Sequence, residues 1–277
     1  MRALPYRSFS DGFVMVVRLW PARITRLIST PTMLTRDIKP VKVSYILAEK
    51  ALNVSHFVGG LGRCWNLGSR SIMREMKKPE SICVFGDSTA WGAWDFEKGG
   101  WVSRLWMDVG MRDPDYVEIY NLSISGGTTE TILSRFASEA RIRKADALLF
   151  QTGGNDSSYE NSPENYLVPL EQFEKNIEDI ISRAKGIAER TAFIGFKNCD
   201  ESRTTPVSWC NFFYTNENIQ RYNLVMKTVC ERNDVPFLDV YGILEPSDLM
   251  DGLHPNESGH QKIFLEAKSF LTKLGWI

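Results

Sequence analysis

The stretch Ser81-Ile82-Cys83-Val84-Phe85-Gly86-Asp87-Ser88 runs from an unbroken apolar segment straight into a glycine, an aspartate and a serine. An apolar run of this length, without alternation, suits a strand buried on both faces of a parallel sheet. Four further runs follow: Val117–Leu122, Ala147–Gln151, Ala192–Phe196 and Pro236–Val240. Between the third and fourth, Leu170, Phe173, Ile177, Ile180, Ile181, Ala184 and Ile187 recur at spacings of three and four, the stripe of a helix lying on a sheet. A second stripe, Ile263, Phe264, Ala267, Phe270, Leu271 and Leu274, follows Asn256, a residue suited to cap it. Alternating strands and helices predict an α/β fold: a doubly wound, flavodoxin-like three-layer α/β/α sandwich around a five-stranded parallel sheet.

Charge divides the chain before that sheet begins. Residues 1–78 hold 14 Lys+Arg and 4 Asp+Glu, a net of +10. Residues 79–277 then hold 33 − 14 = 19 basic and 34 − 4 = 30 acidic residues, a net of −11. The expected organisation is an irregular basic extension over 1–78 and one α/β domain over 79–277. The extension has helix-compatible stretches such as Val43–Leu52 but no sustained periodicity, and Gly59-Gly60-Leu61-Gly62 breaks any element. It reads as a disordered or misassigned leader, since Met73 or Met76 would each begin a chain of about 200 residues, a usual size for one domain. A chain beginning at Met73 is accordingly expected to fold and keep activity, as circular dichroism and an activity assay would show. Loss of both would make the extension part of the domain.

The five cysteines (Cys64, Cys83, Cys199, Cys210 and Cys230) are scattered, with no Cys-x-x-Cys pair and no His/Cys cluster at metal-ligand spacing. No metal or cofactor is expected. The apolar run Phe13–Val17 is too short for a signal-peptide core, and nothing approaches the roughly 20 apolar residues of a membrane span. Reduced thiols point to the cytoplasm. Two of the four glycosylation sequons (Asn53, Asn121, Asn155, Asn256) fall within the candidate site segments, which agrees with that placement.

Ligands of open α/β sheets bind beyond the carboxyl ends of the strands. There lie Ser88 after the first run, Ser125-Gly126-Gly127 after the second and Gly153-Gly154-Asn155-Asp156 after the third. A serine is a poor nucleophile until a neighbouring base takes its proton and a third group orients that base. Only three histidines are available: His56, His254 and His260. His254 sits in a loop that would lie on the same edge, three residues after Asp251, so the carboxylate can reach the ring within one turn. Asp248 competes for that role. His260 suits helix packing, His56 lies in the extension, and Asp87 and Asp156 suit the steadying of turns.

Gly86-Asp87-Ser88-Thr89-Ala90 lacks the second glycine of the Gly-x-Ser-x-Gly elbow. The block instead resembles the Gly-Asp-Ser signature of the SGNH (GDSL) hydrolase superfamily, in the manner of bacterial GDSL-type esterase/lipase-like proteins. Gly126, Asn155 and the segment Asp251-Gly252-Leu253-His254-Pro255 are similar to the family's later blocks, in family order. The resemblance covers residues 80–277. It implies a catalytic triad of Ser88, His254 and Asp251, favouring Asp251 over Asp248. It also implies an oxyanion hole from the backbone N–H groups of Ser88 and Gly126 and the side-chain amide of Asn155.

The expected activity is hydrolysis of a small ester, thioester or acetylated sugar through an acyl-enzyme on Ser88. The same triad would serve an SGNH-type O-acyltransferase. A third class, a non-enzymatic module tethered by the basic segment to nucleic acid or an anionic membrane, lacks a basic helix face, and no nucleic-acid partner is expected. Trp91, Trp94, Trp209, Phe212, Phe213 and Tyr214 could wall an acyl or aromatic pocket, or pack the core.

Overall fold

All six residues of Ser81–Gly86 are buried, because helices cover both faces of this strand. The computed structural model describes residues 77–112 and 117–277. The expected extension falls, apart from Lys77 and Lys78, outside the described residues, as does His56. In chain order the elements are β1 (Ser81–Gly86), α1 (Ser88–Trp91), α2 (Gly100–Arg112), β2 (Glu118–Asn121), α3 (Thr129–Ile142), β3 (Ala147–Gln151), β4 (Tyr159–Glu160), α4 (Leu170–Lys185) and β5 (Arg190–Ile194). Then follow α5 (Glu201–Thr204), β6 (Phe212–Phe213), α6 (Asn216–Arg232), β7 (Phe237–Leu238), a 3-10 turn at Pro246–Asp248 and α7 (Glu257–Lys273).

The main sheet is parallel, in the order β2-β1-β3-β5-β7. Counting only its own strands, this is the flavodoxin-like order 2-1-3-4-5, with the winding reversing between β1 and β3. That reversal opens a crevice beyond the carboxyl ends of β1 and β3, where Ser88 and Asn155 lie.

The alternation of side chains along each strand assigns residues to two cores. Ile82, Val84, Ala147, Leu149, Ala192 and Ile194 face α2 and α7, where Trp101, Leu105, Ile263 and Ala267 meet them. Cys83, Phe85, Leu148, Phe150 and Phe193 face α3, α4 and α6. On that second face Phe85, Phe150 and Phe193 stack across three strands, with ring centroids 5.7 and 5.0 Å apart, and Phe136 meets Phe85 and Phe150 edge-on. The helix stripe over α4 is buried as its spacing predicts, and the Asn256 side chain caps α7 by accepting from Gly259 N–H.

Three details depart from the sequence reading. The fourth strand is Arg190–Ile194 rather than 192–196, because Asn223 of α6 takes over the backbone of Phe196. Its Oδ1 accepts from Phe196 N–H at 2.8 Å and its Nδ2 donates to Phe196 C=O at 2.7 Å. The fifth strand keeps only Phe237 and Leu238, as befits a sheet edge. β4 and β6 form an unforeseen antiparallel pair, in which Tyr159 and Phe213 stack at 5.1 Å. Among the described residues no helix is long and apolar enough to cross a membrane.

Candidate active site

Gly86 closes β1 where there is no room for a side chain. A Cβ there would lie 2.6 Å from Ala90 Cβ and 2.7 Å from Gln151 C=O. The chain can therefore turn sharply into α1, with Ser88 as its first residue. Asp87 caps this turn, its buried carboxylate accepting from Thr89 N–H at 2.8 Å. Burial pushes the Asp87 carboxyl up, and hydrogen bonding from Thr89 N–H, the charges of Lys197 and His254 and a weaker hydrogen bond from Ala90 N–H oppose that rise.

Ser88 Oγ lies 2.8 Å from His254 Nε2, and His254 Nδ1 lies 2.7 Å from Asp251 Oδ2. An ionised carboxylate only accepts, so Nδ1 carries the ring proton and Nε2 faces the serine with its lone pair. Asp251 Oδ1 accepts from the N–H groups of Leu253 and His254 at 2.9 and 2.7 Å. Burial alone would raise the Asp251 carboxyl, but the bond from the His254 ring and these backbone donors outweigh it and hold the group well below the usual carboxylate range. The loop is secured from α5, since Arg203 donates to the carbonyls of Leu249 and Met250.

Asp248 is committed elsewhere. It accepts from Glu245 N–H and Ser258 Oγ and pairs with Lys262 at 2.5 Å. His260 is fully buried, its Nε2 donating to Ala93 C=O at 2.8 Å, and burial pushes its ring down to about 4. It packs, as its helix position suggests. Asp156 is also buried, accepting from Thr129 N–H at 3.0 Å and from Thr129 Oγ1 at 2.5 Å, which ties the β3 loop to the start of α3.

Gly126 adopts φ +76°, a left-handed conformation that a side chain would strain. Among the described residues, the N–H groups of Ser88 and Gly126 donate to no backbone group. Asn155 is buried, with Nδ2 donating to Gly127 C=O at 2.9 Å. Because a carbonyl only accepts, this bond fixes which way the amide faces. Tyr214 Oη donates to the other end, Asn155 Oδ1, at 2.9 Å. One Nδ2 hydrogen is left for a ligand. The role of Tyr214 in holding this amide is not visible in the sequence, where it is merely one of three consecutive aromatics.

The aromatics sort into two groups. Trp91, Trp94 and Trp209 are exposed; Trp94 Nε1 donates to Asp251 Oδ2 at 2.9 Å and the Trp209 ring lies 5.7 Å from that of His254. Phe213 stacks within the small sheet and Tyr214 is buried. Trp94 and Trp209 thus border the triad, and Tyr214 supports the Asn155 amide.

Lys197, just past β5, is also invisible to motif reading. It is fully buried, its Nζ has no hydrogen-bond partner, and it lies 4.3 Å from the centroid of the Phe196 ring. Burial pushes the ammonium down from 10.5 to about 8, against the opposing pull of Cys199, Asp87 and Asp251. Between about pH 8 and 10.5 the unfolded chain binds more protons at this lysine than the folded one, so its contribution to stability rises with pH across that window. At neutral pH the buried charge costs on the order of 3 kcal/mol. Lys197→Met is expected to raise unfolding stability by about that amount at neutral pH and to remove the rise. Urea denaturation at pH 7 and pH 10 measures both; an unchanged or lowered midpoint at pH 7 would contradict the assignment.

The GDSL-like lipase/acylhydrolase family model matches residues 84–262. Over 206 residues the chain is 23% identical to WDL1, a GDSL esterase/lipase of Oryza sativa subsp. japonica, covering 70% of this chain and 78% of that protein. A catalytic mutant of Axe2, an acetylxylan esterase from Geobacillus stearothermophilus, superposes with a TM-score of 0.58 at 18% identity, over 73% of this chain and 97% of that one. The psychrotrophic esterase EstA from Pseudoalteromonas sp., in a structure inhibited by monoethylphosphonate, gives 0.56 at 19% identity, over 70% and 98%. At these identities the structural likeness is one of fold.

Proposed function

The chain belongs to the GDSL-like lipase/acylhydrolase family and is a serine hydrolase of ester bonds; from that premise we propose that Ser88 is its nucleophile, His254 its base and Asp251 the group that orients the base. The observation that carries this reading is the unbroken chain of contacts, 2.8 Å from Ser88 Oγ to His254 Nε2 and 2.7 Å from His254 Nδ1 to Asp251 Oδ2. Ser88 Oγ adds to the acyl carbonyl carbon as its proton passes to His254 Nε2. The carbonyl π electrons move onto oxygen, where the N–H groups of Ser88 and Gly126 and the Asn155 amide receive the charge. Collapse of this adduct breaks the ester C–O bond, and the imidazolium returns the proton to the departing alcohol. Water then attacks the acyl-serine by the same route, its proton passing through His254 to Ser88 Oγ as the acid leaves.

The substrate is a small ester, thioester or acetylated sugar. The exposed rings of Trp91 and Trp209 offer apolar surface to its acyl or alcohol part. The likeness to an acetylxylan esterase adds acetylated sugars to the substrates worth testing first. The protein works in the cytoplasm, a reading supported by the free thiols of Cys83, Cys199, Cys210 and Cys230 and tested by cell fractionation. A fluorophosphonate should form one adduct, located on Ser88 by peptide mass spectrometry. A screen over acyl lengths and acetylated sugars would then define the substrate. An adduct elsewhere, or none, would refute the assignment.

A further inference from the structure

Four donors surround the Asp251 carboxylate, and three of them come from its own turn: the N–H groups of Leu253 and His254 and the His254 ring. The fourth is the indole N–H of Trp94, 157 positions away, which shares Oδ2 with the ring at 2.9 Å. Trp94 follows Ser88 by six residues in the segment leaving α1. Its bond thus ties the acid's loop directly to the nucleophile's segment, independently of the contact between serine and histidine.

Trp94 is held for this purpose at some cost. Its φ is +67°, a left-handed conformation that disfavours a residue with a Cβ. Residues on both sides of it are anchored. Ala93 C=O accepts from buried His260 Nε2 at 2.8 Å. Buried Asp95 accepts from Lys98 N–H, Gly100 N–H and Arg104 Nε at 3.2, 3.1 and 2.8 Å. Arg104 in turn donates to Gln261 and to Glu257 C=O of α7. A strained backbone so firmly determined by its surroundings is a feature of functional segments.

We propose that Trp94 is a positioning residue, whose indole N–H fixes the Asp251 carboxylate relative to the segment carrying Ser88. The inference rests on the roles of Ser88, His254 and Asp251 set out above. Trp94→Phe keeps an aromatic ring and removes only the N–H. Trp94→Gly removes both and relieves the left-handed strain, so it folds even where the phenylalanine variant does not.

With a p-nitrophenyl ester of a short acid, both variants are expected to lower kcat by on the order of 10- to 10²-fold, with KM within about twofold of the parent. A normal kcat in a folded Trp94→Phe overturns the proposal. So does a loss confined to Trp94→Gly, or a rise in KM at constant kcat, either of which assigns the ring to substrate contact. Should Trp94→Phe not fold, a normal kcat in Trp94→Gly overturns it equally. Ser88→Ala in the same assay separates the two levels: its continued activity would sink the triad itself, whereas an inactive Ser88→Ala beside a normal Trp94→Phe would sink only this inference.

Discussion

Ser88→Ala is expected to lose ester hydrolysis by ~10⁴-fold or more while folding normally. The loss is large because the substitution removes the atom that would bond to the acyl carbon. What survives is the polarisation of the carbonyl by the oxyanion donors and water attack without a covalent intermediate. The fold should not notice. Among the described residues the Ser88 hydroxyl hydrogen-bonds to the His254 side chain, the cap on α1 comes from Asp87, and alanine is a good helix former. Fluorophosphonate labelling should vanish in parallel with kcat, and the thermal midpoint should stay within a few degrees of the parent. Persistent labelling with lost activity would move the nucleophile elsewhere; persistent activity would remove the acyl-enzyme from the mechanism.

The parts of this architecture that follow local rules are those legible in the sequence. β1 and β3 show as unbroken apolar runs because helices cover them on both sides, and α4 shows as a stripe because only one of its faces is buried. β4 and β6 escape notice because two-residue strands have no period, and their pairing depends on a ring stack between residues 54 positions apart. The end of β5 escapes for a related reason, since a side chain from α6 replaces the neighbouring strand.

The candidate site divides in the same way. Asp251 and His254 sit within one turn, where spacing alone lets the carboxylate meet the ring, and Ser88 follows a strand that announces itself. Tyr214, Trp94 and Lys197 carry no such mark. Tyr214 reaches Asn155 across 59 positions and Trp94 reaches Asp251 across 157. Lys197 looks like any surface lysine until the segment after β5 is seen to lie inside the protein. Contacts of that kind depend on how the sheet is wound, and a single sequence read locally does not contain them.

Asn155→Ala is expected to lower kcat by about 10²–10³-fold with KM nearly unchanged. The reason for the split lies in when the amide is needed. A neutral ester carbonyl gains little from one more donor, whereas the oxygen of the tetrahedral adduct carries a full charge. The amide is also preorganised, since Gly127 C=O and Tyr214 Oη hold it by its two ends, so no reorganisation is required as the charge develops. Tyr214→Phe provides a graded companion. It leaves the amide in place on one bond instead of two, so its kcat should fall less than that of Asn155→Ala. Asn155→Asp should fall at least as far as Asn155→Ala, because an acceptor-only carboxylate would face the oxyanion with like charge. Removing the amide also leaves Gly127 C=O without that partner, at a stability cost of about 1–3 kcal/mol, so unfolding curves must accompany the kinetics. A rise in KM at constant kcat in Asn155→Ala would take this residue out of the oxyanion hole and make it a ground-state contact to the substrate.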